Sequence, residues 1–260
     1  PMLTYTKEER LTLLTLTLVH RKWQYDTLPY EERRGYNIGA LIVDENQVPI
    51  SFFVYFVSPS TNTIQHAELL AIQQCLDVTG KNNLKGYTIY TTLEPCIMCL
   101  GTMVHSKITK LIYCQNDFNY AHSIKRLTAD FSSEGEYGPY PDMPETAPTT
   151  LGIFNELDAA YLKYRNEKNC DIISKFLCTD TAKNIFDKAE KLFLEIANPE
   201  EKFYLELFSG YRKPTSIEIL PENTTIRDFE LMIRSLGKPS VFIGSSTEQL
   251  PLVEYIVNLF

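Results

Sequence analysis

The sequence lacks the features that would place it in a membrane or mark it for export. No apolar run in its 260 residues approaches the roughly 18 residues of a transmembrane helix, and no basic-then-apolar segment opens the chain. It also has no excess of positive charge, because 25 Lys and Arg stand against 33 Asp and Glu, a net charge of −8. We therefore expect a cytoplasmic protein that does not bind mainly to polynucleotide backbones.

Cysteine is scarce too. Six cysteines in 260 residues do not make a disulfide framework. Cys96 and Cys99 form a C-x-x-C pair, which in a cytoplasmic protein indicates metal or redox chemistry. The other four are scattered through apolar surroundings, which is typical of buried small hydrophobic residues.

The hydrophobic pattern predicts an α/β protein. Thr6 and Glu9 form a capping box for the first predicted helix. The predicted helices cover residues 6–23, 65–78, 96–105 and 154–166, and the predicted strands cover 37–43, 50–57, 86–92 and 109–115. A Ser-, Gly-, Pro- and Thr-rich stretch over 132–150 predicts a long irregular loop, and 171–236 is mainly helical in pattern.

Two predicted helices begin with residues that suit a metal. His66 and Glu68 open one, and Cys96 and Cys99 open another directly after Pro95. One imidazole and two thiolates suit tetrahedral Zn²⁺, and three protein ligands leave the fourth position open, as in catalytic zinc sites. Helix N-termini also favour thiolate charge. A structural zinc site or a redox C-x-x-C pair is the alternative.

The carboxylate between these groups points to hydrolysis. Zinc lowers the pKa of a bound water to about 7 and so generates hydroxide at neutral pH. Glu68 lies two residues from His66, near the metal but turned differently, so it can act first as base and then as acid. This arrangement suits attack on an amidine-like ring carbon, which is hydrolytic deamination. The order H-x-E and then P-C-x-x-C is the signature of the zinc deaminases.

The string TTLEPCIMCLGTMVHSK over residues 91–107 resembles the cytidine deaminase superfamily, most closely its bacterial tRNA adenosine deaminases and then its guanine deaminases. The resemblance covers roughly residues 5–165 and implies a three-layer α/β/α fold around a five-stranded mixed sheet. It implies that His66, Cys96 and Cys99 bind zinc and that Glu68 shuttles the proton. It also implies that the backbone around Glu94 and Pro95 accepts from the leaving amine.

Five further residues are candidates for substrate binding, although each also has a purely structural interpretation. They are Asn37, Asn62, His105, Asp117 and Phe118. The tRNA enzymes of this superfamily carry an Asn about eleven residues before the zinc-binding His, and this chain has Tyr55 there. That departure puts recognition of adenosine in a polynucleotide in doubt.

The C-terminal part predicts a second unit. We expect a deaminase domain over 1–168, a helical connector over 169–237 and the truncated β-α start of a second α/β domain over 238–260. The string KPSVFIGSSTEQL resembles the first strand, loop and helix of TIR-like domains of bacterial defence proteins; a generic β-α start is the alternative. Since one strand and one helix cannot bury their own apolar faces, we expect the natural protein to be longer.

The leading hypothesis is a zinc-dependent deaminase of a free nucleoside, nucleotide or base, of adenine or cytosine type, in an antiviral or nucleotide-signalling protein. Adenosine-to-inosine deamination of tRNA or another RNA is the second, with RNA a less favoured partner. The third is a catalytically idle nucleotide sensor that controls a C-terminal effector, against which an intact Glu68 argues. The resemblance also implies a homodimer, because this fold commonly completes its pocket across two copies.

Overall fold

A computed structural model describes residues 4–29, 33–57, 62–120 and 123–209. The strands are β1 (Gly39–Val43), β2 (Pro49–Val54), β3 (Thr88–Thr91), β4 (Lys110–Tyr113) and β5 (Glu145–Pro148). The helices are α1 (Lys7–Arg21), α2 (Ala67–Thr79), α3 (Ile97–His105), α4 (Ser123–Leu127), α5 (Ile153–Lys168), α6 (Ile173–Phe176), α7 (Asp180–Ile196) and α8 (Pro199–Ser209), with a 3₁₀ turn over Ser132–Glu134. None of the helices in these ranges has the length and apolar character that a membrane crossing needs.

The five strands form one mixed sheet in the order β2-β1-β3-β4-β5. β1 pairs antiparallel with both β2 and β3, whereas β3, β4 and β5 run parallel. Strand β2 therefore runs in the same direction as β3 and β4, and all three end at the same edge of the sheet. The segments that follow them lead to α2, to α3 and to the loop before α4, so this edge is where the chain gathers its candidate site.

Helices cover both faces of the sheet, which confirms the predicted three-layer α/β/α fold around a five-stranded mixed sheet. Alternate strand residues point to opposite faces. Leu41, Tyr90 and Ile112 join a core formed with α1, α5, α6 and α7. Their neighbours Ile42, Ile89 and Leu111 join a second core formed with α2 and α3.

The first helix begins where the sequence predicts. The Thr6 side chain accepts a hydrogen bond from the backbone of Glu9, and the Glu9 carboxylate accepts one from the backbone of Thr6, which completes the capping box. The central part of the helix, from Leu11 to Val19, is buried. Its threonines Thr15 and Thr17 satisfy their hydroxyls by donating to carbonyls one turn earlier, so they fit an apolar core.

The prediction of an irregular loop throughout 132–150 is wrong at its end, where β5 forms. Strand β5 is short and partly exposed, lies at the edge of the sheet and ends at Pro148. An edge strand needs neither an apolar run nor alternating polarity, since it pairs on one side only. A proline is tolerated there, because the sheet does not need its missing backbone N–H. Its pairing with β4 comes from tertiary contacts that the local pattern does not record. The short helix α4 also escapes prediction.

The helices after residue 168 belong to the same core as the sheet. Helix α7 packs along α1, and its Phe186 and Phe193 are buried with the residues of α1 and β1. Glu190 of α7 accepts from His20 and Arg21 at the end of α1. The helical pattern predicted after 171 is present up to Ser209, and these helices pack against α1 on one face of the sheet, while the predicted domain boundary stays a prediction. The predicted remainder of the connector and the TIR-like start over 238–260 lie outside the described residues.

We expect Phe186→Ala to destabilise the sheet and the C-terminal helices together. Phe186 is fully buried and meets Trp23 edge-to-face at 5.2 Å between ring centroids. Truncating a buried Phe costs about 3–5 kcal/mol, so thermal or denaturant unfolding should shift strongly in one transition. Phe203→Ala is the control, because Phe203 of α8 is 60% exposed and its loss should change stability by about 0.5 kcal/mol at most. Separate transitions, with the sheet unaffected by Phe186→Ala, would contradict a shared core.

Candidate metal and active site

Two helix N-termini converge on one point at the sheet edge. His66 is the N-cap residue of α2 and Cys96 that of α3, and neither side chain makes a capping hydrogen bond. Ser, Thr, Asp and Asn are the usual N-cap residues because their side chains bond the free backbone N–H groups. A His and a Cys there forgo that stabilisation and turn instead toward each other. Cys99, in the first turn of α3, completes the group and is fully buried.

The three side chains stand at the spacing of zinc ligands. The two sulfurs lie 3.6 Å apart, and His66 Nδ1 lies 3.7 Å from Cys96 Sγ and 3.5 Å from Cys99 Sγ. A tetrahedral Zn²⁺ with Zn–S of about 2.3 Å and Zn–N of about 2.0–2.1 Å separates two sulfurs by about 3.8 Å and a sulfur from a nitrogen by about 3.6 Å. The donor set and its geometry therefore fit zinc.

The electrostatics of the two thiols differ. Hydrogen bonding to Cys99 and then to His66 lowers the pKa of Cys96 to about 4 against the opposing effect of burial. The same bond to Cys96, together with burial, raises the pKa of Cys99 well above its ordinary value. Burial opposes protonation of His66, but its hydrogen bond to Cys96 and the charges of Glu68 and Cys96 give it a raised pKa. The lowered pKa of Cys96 favours its thiolate, the form that binds metal.

Glu68 is the buried carboxyl beside these ligands. It lies in the first turn of α2, is only 4% exposed, and its Oε2 atom has no hydrogen-bond partner. Burial raises the pKa of Glu68 to about 7, although its own backbone N–H and His66 act to lower it. A buried carboxyl with an unsatisfied oxygen is costly for the fold. Its placement beside the ligand group is what a proton-transfer role requires.

The comparisons with known proteins agree with this geometry. Residues 18–115 match the family model described as the cytidine and deoxycytidylate deaminase zinc-binding region. A tRNA-specific adenosine deaminase of Rickettsia felis is 38% identical over 103 residues, which is 39% of this chain and 72% of that protein. The chain belongs to the cytidine and deoxycytidylate deaminase superfamily. Zinc is the metal of this family's binding region, and the predicted cofactor is confirmed.

Two further relatives show how far the similarity extends. A tRNA-specific adenosine deaminase of Rickettsia bellii is 41% identical over 81 residues, 31% of this chain and 56% of that protein. The chain thus spans little more than half the length of that relative. The crystal structure of guanine deaminase from Bacillus subtilis is 21% identical, covers 62% of this chain and 94% of its own, and has a TM-score of 0.37.

Three of the remaining candidates lie beside the deaminase ligand group. Glu94 and Asp117 are buried, and the Glu94 Oε2 atom accepts from the backbone N–H of Asp117 at 3.1 Å. Burial raises the pKa of Asp117 against the backbone bonds it accepts, and the charge of nearby Cys96 raises it further. The carbonyl of Pro95 accepts from Ser123 at 2.6 Å, a contact that no sequence signal indicated.

The other four candidates serve the fold in this structure. Asn37 is fully buried, its Nδ2 donates to the carbonyls of Gln24 and Leu177, and its Oδ1 accepts from the backbone N–H of Gln24. The Asn37 amide thus secures the loop after α1, and its contact with substrate stays a prediction. Phe118 stacks on Tyr161 at 5.4 Å between centroids, which is a packing contact.

His105 and Asn62 are exposed. His105 ends α3, about 12 Å from the helix start where Cys96 lies, and packs edge-to-face on Tyr140. His105 therefore lies at the opposite end of α3 from Cys96, and its contact with substrate stays a prediction. The Oδ1 atom of Asn62 accepts from the backbone N–H of Ile64, which forms the turn leading to His66.

Tyr55, for which the sequence pattern predicts no role in the site, lies beside the ligand group. It follows β2, and its ring lies 4.9 Å from the His66 ring and 5.4 Å from the Tyr36 ring. Burial, together with the charges of Tyr36, Glu68 and both thiols, raises the pKa of Tyr55 to about 12, as expected for a phenol beside the ligand group. Its position eleven residues before His66 was the available signal.

Proposed function

We propose that this chain is a zinc-dependent hydrolytic deaminase that removes an exocyclic amino group from the adenine- or cytosine-type ring of a free nucleoside, nucleotide or base. The proposal assigns His66, Cys96 and Cys99 as the zinc ligands and Glu68 as the proton shuttle. One observation carries it: a three-ligand group at zinc spacing lies beside a buried carboxyl whose Oε2 atom has no hydrogen-bond partner. A structural zinc site has a fourth protein ligand, and a sensor needs no such carboxyl.

The chemistry balances with water as the only co-reactant. Zinc, when bound, supplies a hydroxide nucleophile at neutral pH. Glu68 accepts the proton that water gives up, the C–O bond forms at the ring carbon, and the amino nitrogen receives that proton from Glu68. The C–N bond then breaks and ammonia leaves, and the hydroxyl proton passes to the neighbouring ring nitrogen as the ring carbon becomes a carbonyl. We propose that the backbone at Glu94 and Pro95 accepts a hydrogen bond from the leaving amine, since Pro95 directly precedes Cys96.

Charge and Tyr55 favour a small substrate. The net charge of −8 weakens attraction to a polyanionic backbone. The Tyr55 ring lies beside His66 and offers an apolar face against which a free base can stack. It stands where the tRNA enzymes of the superfamily carry an Asn side chain. The proposal keeps the cytoplasmic location, the homodimer and a domain boundary near residue 168 as expectations.

A specific observation supports RNA as the second candidate substrate. Two of the matching relatives, at 38% and 41% identity, are tRNA-specific adenosine deaminases. The exposed side chains of Ile64, Ile97 and Tyr120 also lie within three residues of the ligand group or Asp117, where flanking bases of an RNA could stack. The two candidate substrates differ only in what is attached to the target base.

Ammonia release from a panel of free adenine, cytosine and guanine bases, nucleosides and nucleotides tests the proposal. We expect turnover on an adenine or cytosine compound, and only weak competition by unmodified tRNA at physiological salt. Tight tRNA binding that weakens steeply with salt, with inosine formed in the tRNA, would transfer the proposal to the RNA substrate. No ammonia from any compound or from tRNA, with zinc fully bound, would contradict the enzymatic assignment.

A further inference from the structure

The loop over 115–120 forms one wall of the site. It follows β4 at the sheet edge where the ligand group lies. Asp117 donates its backbone N–H to Glu94, two residues before the ligand Cys96. The Asp117 Oδ1 atom accepts from the backbone N–H groups of Asn119 at 2.9 Å and Tyr120 at 3.1 Å. The carboxylate therefore folds the loop into a compact turn that faces the site.

The outer side of this loop is attached to α5. Asn116 donates its backbone N–H to one oxygen of Asp158, at 3.1 Å, and its side-chain amide to the other, at 2.5 Å. Gln115 donates to the carbonyl of Leu157. These bonds hold the start of the loop against α5, but none of them involves its far end at Asn119.

Asn119 makes the second attachment, to the turn between α5 and α6. Its Nδ2 donates to the carbonyl of Asp171, and its Oδ1 accepts from the backbone N–H of Ile173 at 2.8 Å. Ile173 is the first residue of α6, so Asn119 satisfies an N–H that the helix itself leaves free. The Asp171 carbonyl also accepts from the Tyr161 hydroxyl at 2.5 Å, and the Tyr161 ring stacks on Phe118.

We propose that Asn119 is a positioning residue that ties the wall loop to the turn before α6, so that helices α6–α8 set the place of Asp117 and the affinity for substrate. A carboxamide offers a donor and an acceptor side by side, which both bonds need. The partners are 52 and 54 residues away in the chain, so the loop depends on the C-terminal helices for its position. This inference rests on the proposed function for its substrate.

Asn119→Ala in the zinc-loaded protein tests this role. We expect KM to rise about tenfold, the effect of losing two ordinary hydrogen bonds, with kcat changed less than about threefold and one zinc retained. Asn82→Ala is the control, because Asn82 is exposed beyond the far end of α2, about 20 Å from the His66 end, and should leave KM unchanged. An unchanged KM for Asn119→Ala, or loss of zinc with an equal fall in kcat, would overturn the proposal.

Hydrogen exchange separates this proposal from the proposed function. In Asn119→Ala, the amides of 116–120 and of 171–176 should both exchange faster, since the two segments lose their common attachment. Asn119→Asp keeps the acceptor for Ile173 but turns a charged oxygen toward the Asp171 carbonyl, so its exchange in both segments and its KM should also rise, and it decides the matter if the alanine variant does not fold. Faster exchange in only one segment would contradict the attachment. Coupled exchange in a protein that deaminates nothing would uphold the attachment and reject the proposed function.

Discussion

Glu68→Gln should reduce ammonia release by about 10³-fold and leave one zinc bound per chain. The glutamine keeps the size of the side chain but can neither accept nor return a proton, and proton transfer by a positioned group contributes about 10²–10⁴-fold to rate. The Oε2 atom of Glu68 has no hydrogen-bond partner, so the amide breaks no bond at that atom. The measurement is kcat by ammonia release together with zinc content by elemental analysis.

Glu201→Gln provides the matched control for this loss. Glu201 is equally buried at 4% exposure, but it pairs with Arg10 and caps the start of α8. Its substitution should lower stability and leave kcat of the folded protein unchanged. Wild-type turnover in Glu68→Gln would reject the carboxylate as proton shuttle, and an equal loss in Glu201→Gln would show that the effect is not specific to the site.

Cys99→Ser should release the metal and destabilise the fold. The hydroxyl of serine stays protonated at neutral pH, so the site keeps only His66 and Cys96 as ligands. Losing a residue that only orients a metal ligand already weakens metal affinity about 10–100-fold. Because Cys99 is itself a ligand in this account, we expect the affinity for zinc to fall by at least about 100-fold. Zinc at 100 times its Kd stabilises the native state by about 2.7 kcal/mol, and the variant forgoes that contribution. Zinc content and the unfolding midpoint in the presence of zinc measure the two effects.

Cys75→Ser separates zinc loss from the general cost of changing a buried cysteine. Cys75 is fully buried in α2, the helix that His66 caps, and burial raises the pKa of its thiol to about 12. Its substitution should lower stability but keep one zinc per chain. Stoichiometric zinc in Cys99→Ser with unchanged affinity would mean that Cys99 is not a ligand.

Local signals account for most of the fold that positions the site. The capping box at Thr6 and the apolar strand runs act over a few residues, so the local sequence is enough to predict them. Strand β5 carries no such signal, because its place at the edge depends on pairing with β4. The joining of α7 to α1 is likewise tertiary, since an amphipathic helix does not reveal which face of the sheet it covers.

The residues of the candidate site also differ in whether the local sequence predicts them. His66, Glu68, Cys96 and Cys99 were predicted because a metal needs particular side chains at particular spacings, and the structure brings them together. The sequence alone does not show that Asn37 bonds the carbonyl of Leu177, because an asparagine before a strand looks the same whatever its partner. The contacts of Asn119 carry no local signal either, because its partners follow α5, more than fifty residues later in the chain.

Zinc K-edge X-ray absorption of the purified protein, with the metal counted per chain, tests the central claim most directly. The account predicts one zinc with one nitrogen ligand at about 2.0–2.1 Å, two sulfur ligands at about 2.3 Å and a further light-atom ligand. A shell of four sulfurs, a shell without sulfur, or the lack of stoichiometric metal would contradict it.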